Sequence, residues 1–147
     1  MPKKQASKKA GEDDKELQKK YLMLQILKQQ LSALLEEKNA LNEKVAEIAT
    51  TIQALEKLAD VKKGEEMWSS LGSGAFARSD IKDTENVLVA VGAGVVVKET
   101  KERGIEILKL RLDHLQKLDA ELVAEINKFG EQAANVEEEL QHAVANR

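Results

Sequence analysis

Two short glycine-containing turns are the first places in this 147-residue sequence where chemistry could be expected. Gly72-Ser73-Gly74 and Gly92-Ala93-Gly94 each have two glycines separated by one residue, a spacing that also occurs in loops that bind nucleotide phosphates. Neither turn has the third glycine, the following lysine or the directly following helix of such loops. The pattern therefore favours tight hairpin turns, in which glycine tolerates a positive φ, over a nucleotide site.

The remaining candidates for chemistry are the two histidines and the acidic side chains. His114 and His142 are far apart in the sequence, and neither has a second histidine three or four residues away, as a metal site on a helix would have. Carboxylates are frequent, but general acid–base catalysis requires that they converge in a pocket. There is no cysteine to form a disulfide or a thiolate. These patterns predict a protein that is not an enzyme, with no catalytic residue, no metal and no cofactor.

The composition and charge exclude several classes of partner. Charged residues make up 33% of the chain and aromatic residues only 3%, which is typical of long coiled-coil helices. The 23 basic and 26 acidic residues are interleaved, so no nucleic-acid-binding surface is indicated. No apolar run approaches the roughly 20 residues that span a bilayer, and the N-terminus lacks the apolar core of a signal peptide. We therefore predict a cytoplasmic protein without a nucleic-acid or membrane partner.

Two long segments carry the apolar heptad repeat of a coiled coil. The first is predicted at residues 13–62, after a disordered tail at residues 1–12, and the second at residues 100–147. In the first segment the a positions are Leu17, Leu24, Leu31, Lys38, Val45 and Ile52, and the d positions are Lys20, Leu27, Leu34, Leu41, Ile48 and Leu55. In the second segment the a positions are Ile105, Leu112, Asp119, Ile126, Ala133 and Leu140, and the d positions are Leu108, Leu115, Leu122, Phe129, Val136 and Ala143.

An antiparallel hairpin of the two helices is the simplest way to bury both apolar stripes. In the register that matches apolar residues throughout, Leu31 faces Phe129. The same register places Lys38 one layer from Asp119, within reach of an ion pair that would fix the register. The alternative is that each charged side chain extends separately to solvent.

The segment between the helices, residues 63–99, contains an internal repeat. Residues 71–78 match residues 91–98 position for position in their turn pattern. Short β-like runs on either side of each turn predict two hairpins, with strands at about residues 66–71, 75–80, 86–91 and 95–98. The only tryptophan, Trp68, is expected to pack where the helix meets the sheet.

The predicted strands of the second hairpin are apolar on both faces, so both faces must be covered. Two-stranded hairpins are marginally stable alone, and their edges are open to pairing with another chain. We therefore expect these strands to join a sheet built from several subunits. The residues expected to mediate this assembly are Phe76, Val87, Val89, Val91, Val95, Val96 and Val97.

The free ends of the two helices are a second place where apolar side chains have few partners. Exposed apolar surface of this kind marks an interaction site. The candidates are Leu17, Tyr21 and Leu24 on the first helix and Val136, Leu140 and Val144 on the second. The alternative is that these residues close against each other as ordinary positions of the coiled coil.

The order of these parts resembles the α-class subunit of prefoldin, of the archaeal type. A long helix, the run L-G-S-G-A-F-A-R, a polar spacer, the run V-L-V-A-V-G-A-G-V-V-V-K-E and a second long helix carry the resemblance. It covers about residues 14–146, and its most specific part is Val87–Glu99. An insert of two hairpins distinguishes the α class from the β class, which has one.

The resemblance implies a mainly α fold, a long antiparallel two-helix coiled coil with a central insert of two β-hairpins that joins an intersubunit β-barrel. It implies a hexamer of two α and four β subunits, a chaperone that acts without ATP. The tips of its coiled coils would hold unfolded client proteins and pass them to a group II chaperonin. A different hypothesis is a structural coiled-coil scaffold or filament subunit of the same fold that holds no clients.

Overall fold

The computed structural model describes the backbone of residues 2–146 and the side chains of residues 11–146. Helix α1 (Pro2–Lys57) is followed by a 3₁₀ turn (Leu58–Asp60). Strands β1 (Glu66–Gly72), β2 (Ala75–Asp80), β3 (Asn86–Gly92) and β4 (Val95–Thr100) precede helix α2 (Lys101–Ala145). The predicted architecture of two long helices with four antiparallel strands between them is confirmed.

The chain divides into two compact units, each of which contains part of both helices. The terminal unit consists of Met1–Asn42 and Lys117–Arg147, and the central unit consists of Glu43–Gln116. The central unit contains all four strands and the adjoining parts of the helices.

Both ends of α1 differ from the prediction. The helix begins at Pro2, so residues 2–12 are helical and their assignment to a disordered tail is corrected; residue 1 lies outside the described residues. Proline is favoured in the first turn of a helix because its missing N–H would have no partner there, and the lysines and alanines that follow are good helix formers. The helix ends at Lys57 rather than near residue 62, and Gly64 adopts a left-handed φ of 91° at the entrance to β1.

The two hairpins form separate two-stranded antiparallel sheets with matching turns. In β1–β2 the turn residues Ser73 and Gly74 have φ values of 49° and 79°, and in β3–β4 Ala93 and Gly94 have 52° and 74°. Positive φ at both central residues is the geometry of a type I′ turn, whose twist suits a hairpin. The predicted repeat and its glycine turns are therefore present in the backbone.

Asp83 organises the connection between the two hairpins. Its Oδ1 accepts hydrogen bonds from the backbone N–H groups of Asn86 (3.0 Å) and Glu85 (2.9 Å). These bonds stabilise the carboxylate and lower the pKa of Asp83 from 3.8 to about 2. On the far side of the second hairpin, Thr100 caps α2 by accepting a hydrogen bond from the N–H of Arg103 (3.2 Å).

In the terminal unit the helices pack through their a and d positions. The buried residues of this core are Leu24, Leu27, Ala133, Val136 and Leu140, with Leu17 and Phe129 packed against them. The Nζ of Lys38 lies 2.7 Å from Oδ1 of Asp119, and both side chains are about one third exposed. The structure therefore has the predicted ion pair between these two interruptions of the apolar repeat.

Candidate functional site: uncovered apolar surfaces

The second hairpin has one face covered by its own chain and one face open. Val89 lies on the covered face of β3 and is 6% exposed, whereas its neighbour Leu88 points to the other face and is 73% exposed. On β4 the partner of Val89 is Val97, which is half-buried, and the adjacent Val96 is exposed. Because side chains alternate along a strand, Leu88, Ala90 and Val96 share the open face.

A glycine in α2 allows this hairpin to approach the helices closely. A methyl group placed on Gly104 would lie 2.9 Å from Cγ2 of Val87, 3.2 Å from Cγ2 of Val89 and 3.7 Å from Cδ1 of Leu55. Those side chains therefore occupy the space above Gly104. About two turns further along α2, the guanidinium of Arg111 donates a hydrogen bond to the backbone carbonyl of Ala90.

The first hairpin has a more polar inner face and an aromatic open face. On one face the hydroxyls of Ser69 and Ser79 are hydrogen-bonded at 2.6 Å. On the other face Trp68 is 65% exposed, and Phe76 is exposed as well. The expectation that Trp68 packs at the junction of helix and sheet is wrong, because the strand register directs it to the same face as Phe76.

A groove in the terminal unit brings together four of the residues predicted at the helix ends. This surface, called the Tyr21 groove, is lined by Tyr21 and Leu24 of α1 and by Leu140 and Val144 of α2. Glu137 and Gln141 supply its polar edge, and its volume is about 440 Å³. Leu24 and Leu140 form a buried floor, while Tyr21 and Val144 are exposed walls.

The opposite side of the same helix pair is polar. A smaller groove of about 290 Å³ is lined by Asp13, Glu16, Leu17, Lys20, Ala143 and Asn146. On this side Nζ of Lys20 lies 3.4 Å from the carboxylate of Glu139. The two sides of the helix pair therefore differ in chemistry, and the Tyr21 groove is the apolar one.

The comparison with protein families decides the assignment. A family model described as Prefoldin subunit matches residues 27–146, which is most of the chain. The chain belongs to the prefoldin family. Within the described residues, neither α1 nor α2 contains an apolar stretch that could span a bilayer.

The similar proteins include several named as prefoldin α subunits. The Archaeoglobus fulgidus protein is 30% identical over 86% of this chain and 93% of its own length, and the Pyrococcus horikoshii protein is 31% identical over 87% and 90%. The cryo-EM structure of a filamentous PFD from Methanocaldococcus jannaschii shares the fold, with a TM-score of 0.69, 17% identity, and coverage of 77% of this chain and 93% of that one. The resemblance to the prefoldin α class is confirmed.

The structure separates the seven predicted assembly residues into two groups. Val89 is buried, and Val87 and Val97 are half-buried, within the chain itself. The residues left open to a partner are Phe76, Val91, Val95 and Val96. Sequence reasoning missed Leu88 and Trp68, which are among the most exposed apolar side chains. Alternation along the strands would have placed Leu88 on the face of Val96 and Trp68 on the face of Phe76, two residues that were already predicted to mediate assembly.

The helix-end candidates also divide into covered and open residues. Leu24, Val136 and Leu140 are buried in the terminal core, so the expectation that these three are open is corrected. They occupy a and d positions, which pack against the opposite helix. Leu17 is half-buried, and Tyr21 and Val144 are exposed. Leu22, Met23 and Ile26 are further exposed apolar residues of α1.

Proposed function

We propose that this chain is the α-class subunit of a cytoplasmic holdase chaperone that binds unfolded proteins without ATP. Membership of the prefoldin family supports a chaperone function. The observation that carries the proposal is the pair of apolar surfaces that the chain leaves uncovered, the open faces of the hairpins and the Tyr21 groove. Exposed apolar surfaces of this kind mark sites of interaction with other proteins.

The open hairpin faces support assembly with other subunits. Each hairpin is a two-stranded sheet with free edges, and such sheets gain stability when further strands join them. Trp68 and Phe76 on one hairpin, and Leu88 and Val96 on the other, supply the apolar face that a partner would bury. We infer a hexamer of two α and four β subunits in which these strands join a β-barrel between subunits.

The Tyr21 groove supports the capture of clients. A shallow groove with two exposed walls binds any one apolar segment weakly, but several such grooves in one assembly raise the overall affinity well above that of a single contact. Tyr21 and Val144 contact the client in this proposal, and Leu24 and Leu140 form the floor below it. The loaded complex would then transfer its client to a group II chaperonin.

Aggregation of a denatured model protein, followed by light scattering, tests the holding function. The chain is mixed with a β-class subunit and added during dilution from denaturant. We expect the complex to suppress scattering in the absence of ATP, and a Tyr21→Asp, Val144→Asp variant to lose most of that suppression while assembling normally.

The same assay separates the holdase from the alternative. A structural scaffold or filament subunit would assemble with its partner, or with itself, and leave the scattering of the denatured protein unchanged. Full suppression by the double variant would place client binding elsewhere on the molecule.

A further inference from the structure

The two flanks of the terminal helix pair carry different heptad positions. Residues at e positions lie on the side of the Tyr21 groove; they are Tyr21, Lys28 and Leu35 of α1 and Val123, Gly130, Glu137 and Val144 of α2. Residues at g positions lie on the other side; they are Met23, Gln30 and Glu37 of α1 and Leu118, Glu125, Gln132 and Glu139 of α2. The g flank is largely Gln and Glu, whereas the e flank has only two charged residues.

Apolar residues at a, d and e together are typical of a helix that packs against more than one neighbour. In a two-stranded coiled coil the a and d positions suffice, and the e and g positions are usually charged. Here Tyr21 and Leu35 are about half exposed on the e flank, although a and d positions beside them are covered. The helix pair therefore has the pattern of a three-helix bundle from which one helix is missing.

The charge along the Tyr21 groove is negative. Among the described residues, Glu137 is the only charged residue that lines the groove, and its carboxylate forms no ion pair with another of them. The neighbouring Glu139 is paired with Lys20 on the other flank. A segment lying in the groove with a basic side chain beside its apolar stripe would complement Glu137.

We propose that the Tyr21 groove binds amphipathic helical segments of unfolded proteins that carry a Lys or Arg beside their apolar stripe, and that the segment docks as a third helix. This inference rests on the proposed holding function and specifies its ligand. The apolar residues of the segment, at i, i+3 or i+4 and i+7, lie over Leu24 and Leu140 between the walls formed by Tyr21 and Val144, and the basic residue reaches Glu137.

A helical ligand suits this groove better than an extended one. The groove walls are side chains of two helices, whose backbone N–H and C=O groups are already paired within α1 and α2. An extended segment would bring backbone groups to an apolar wall that has no backbone partners for them. A helical segment pairs its own backbone groups and presents only side chains to the groove.

Binding of three fluorescent peptides to the complex with a β-class subunit tests this inference by anisotropy. The first has aliphatic residues at helical spacing with lysines beside them, the second has the same composition in alternating order, and the third has glutamate in place of lysine. We expect the first peptide to bind about tenfold more tightly than either of the others. Equal binding of the first and second peptides would overturn the helical ligand.

Substitutions in the groove have a matched control on the opposite flank. Tyr21 and Met23 are both 53% exposed and lie two residues apart, on the e and g flanks respectively. Tyr21→Asp should weaken binding of the first peptide about tenfold or more, and Met23→Asp should leave it unchanged. An equal loss in both variants would contradict the assignment of the ligand to one flank.

Reversal of the charge at Glu137 tests the preference of the groove for a basic peptide without altering the apolar walls. Glu137→Lys should invert this preference, so that the glutamate peptide binds more tightly than the lysine peptide. An unchanged preference would contradict the role of Glu137.

Light scattering with the wild-type complex distinguishes this inference from the proposed holding function. If the complex suppresses aggregation but binds the peptides without preference for helical spacing or for lysine, this inference fails and the holding function stands. If the complex does not suppress aggregation, the holding function fails.

Discussion

The two hairpins have the same turn geometry but are attached to the rest of the chain in different ways. The second hairpin is packed through Val89 against the helices above Gly104 and is tied to α2 by Arg111. The first hairpin has a serine pair on its inner face and is joined to the preceding loop by backbone hydrogen bonds between Gly64 and Ile81 (2.6 Å) and between Ile81 and Glu65 (3.0 Å). The second hairpin is therefore held against the helices by its own chain, whereas the first is tied mainly to the loop that precedes it.

The largest expected effect comes from a charge on the covered face of the second hairpin. Val89→Asp would bury a carboxylate without a partner, at a cost on the order of several kcal/mol. We expect it to lower the thermal stability of the isolated chain, followed by circular dichroism. Val96→Asp, on the open face of the same hairpin, is the matched control and should leave the melting curve of the isolated chain nearly unchanged. Equal losses would mean that both faces are covered within one chain.

Alanine substitution of two helical glycines should give effects of opposite sign. Gly104→Ala would bring a methyl group to within 2.9 Å of Val87 and should destabilise the attachment of the second hairpin by about 1–3 kcal/mol. Gly130→Ala has open space around it and should stabilise α2 by up to about 1 kcal/mol. Thermal melts of the isolated chain measure both. If Gly104→Ala stabilised the chain, the close approach of β3 to α2 would not require a glycine at position 104.

Substitution of the turn residues should affect both hairpins alike. Ser73 and Ala93 adopt a left-handed conformation that costs an L-residue roughly 1–2 kcal/mol. Ser73→Gly and Ala93→Gly should each stabilise their hairpin by up to about 1 kcal/mol, because part of that gain is offset by the greater freedom of glycine in the unfolded chain. Hydrogen exchange of the strand amides reports each hairpin separately. A gain in one hairpin alone would contradict the equivalence of the two turns.

The smallest expected effect concerns the connection between the hairpins. Because the folded pKa of Asp83 is below the unfolded value of 3.8, its contribution to stability is present above about pH 4 and is lost as the pH falls towards 2. An NMR titration should show this carboxyl with a pKa of about 2, and Asp83→Asn should remove that pH dependence. A normal pKa for Asp83 would mean that its bonds to Glu85 and Asn86 do not persist in solution.

Much of this architecture could be predicted from the residues. The heptad positions gave the core of the terminal unit and the pairing of Lys38 with Asp119, because a and d residues must face the other helix. The turn glycines gave the strand positions to within about two residues at each end. These features follow from the heptad repeats and the turn glycines, which can be read directly from the sequence.

The exposure of individual residues could not be predicted in the same way. Val87 to Val91 are apolar on both faces of the strand, so their pattern does not show which face meets Gly104. Leu24 and Leu140 were expected to be open because apolar side chains at the free helix ends were expected to have few partners, but both belong to the buried core. The helical start at Pro2 also depends on propensities too weak to decide a boundary alone.

Native mass spectrometry of the chain mixed with a β-class subunit tests the central claim most directly, namely that the open hairpin faces are completed by partner subunits. The wild-type mixture is expected to give a hexamer of two α and four β subunits. Val96→Asp is expected to leave the chain folded but prevent that hexamer, because the charge lies on the open face that a partner would cover. A hexamer of unchanged abundance with Val96→Asp, or no hexamer with the wild-type chain, would contradict the claim.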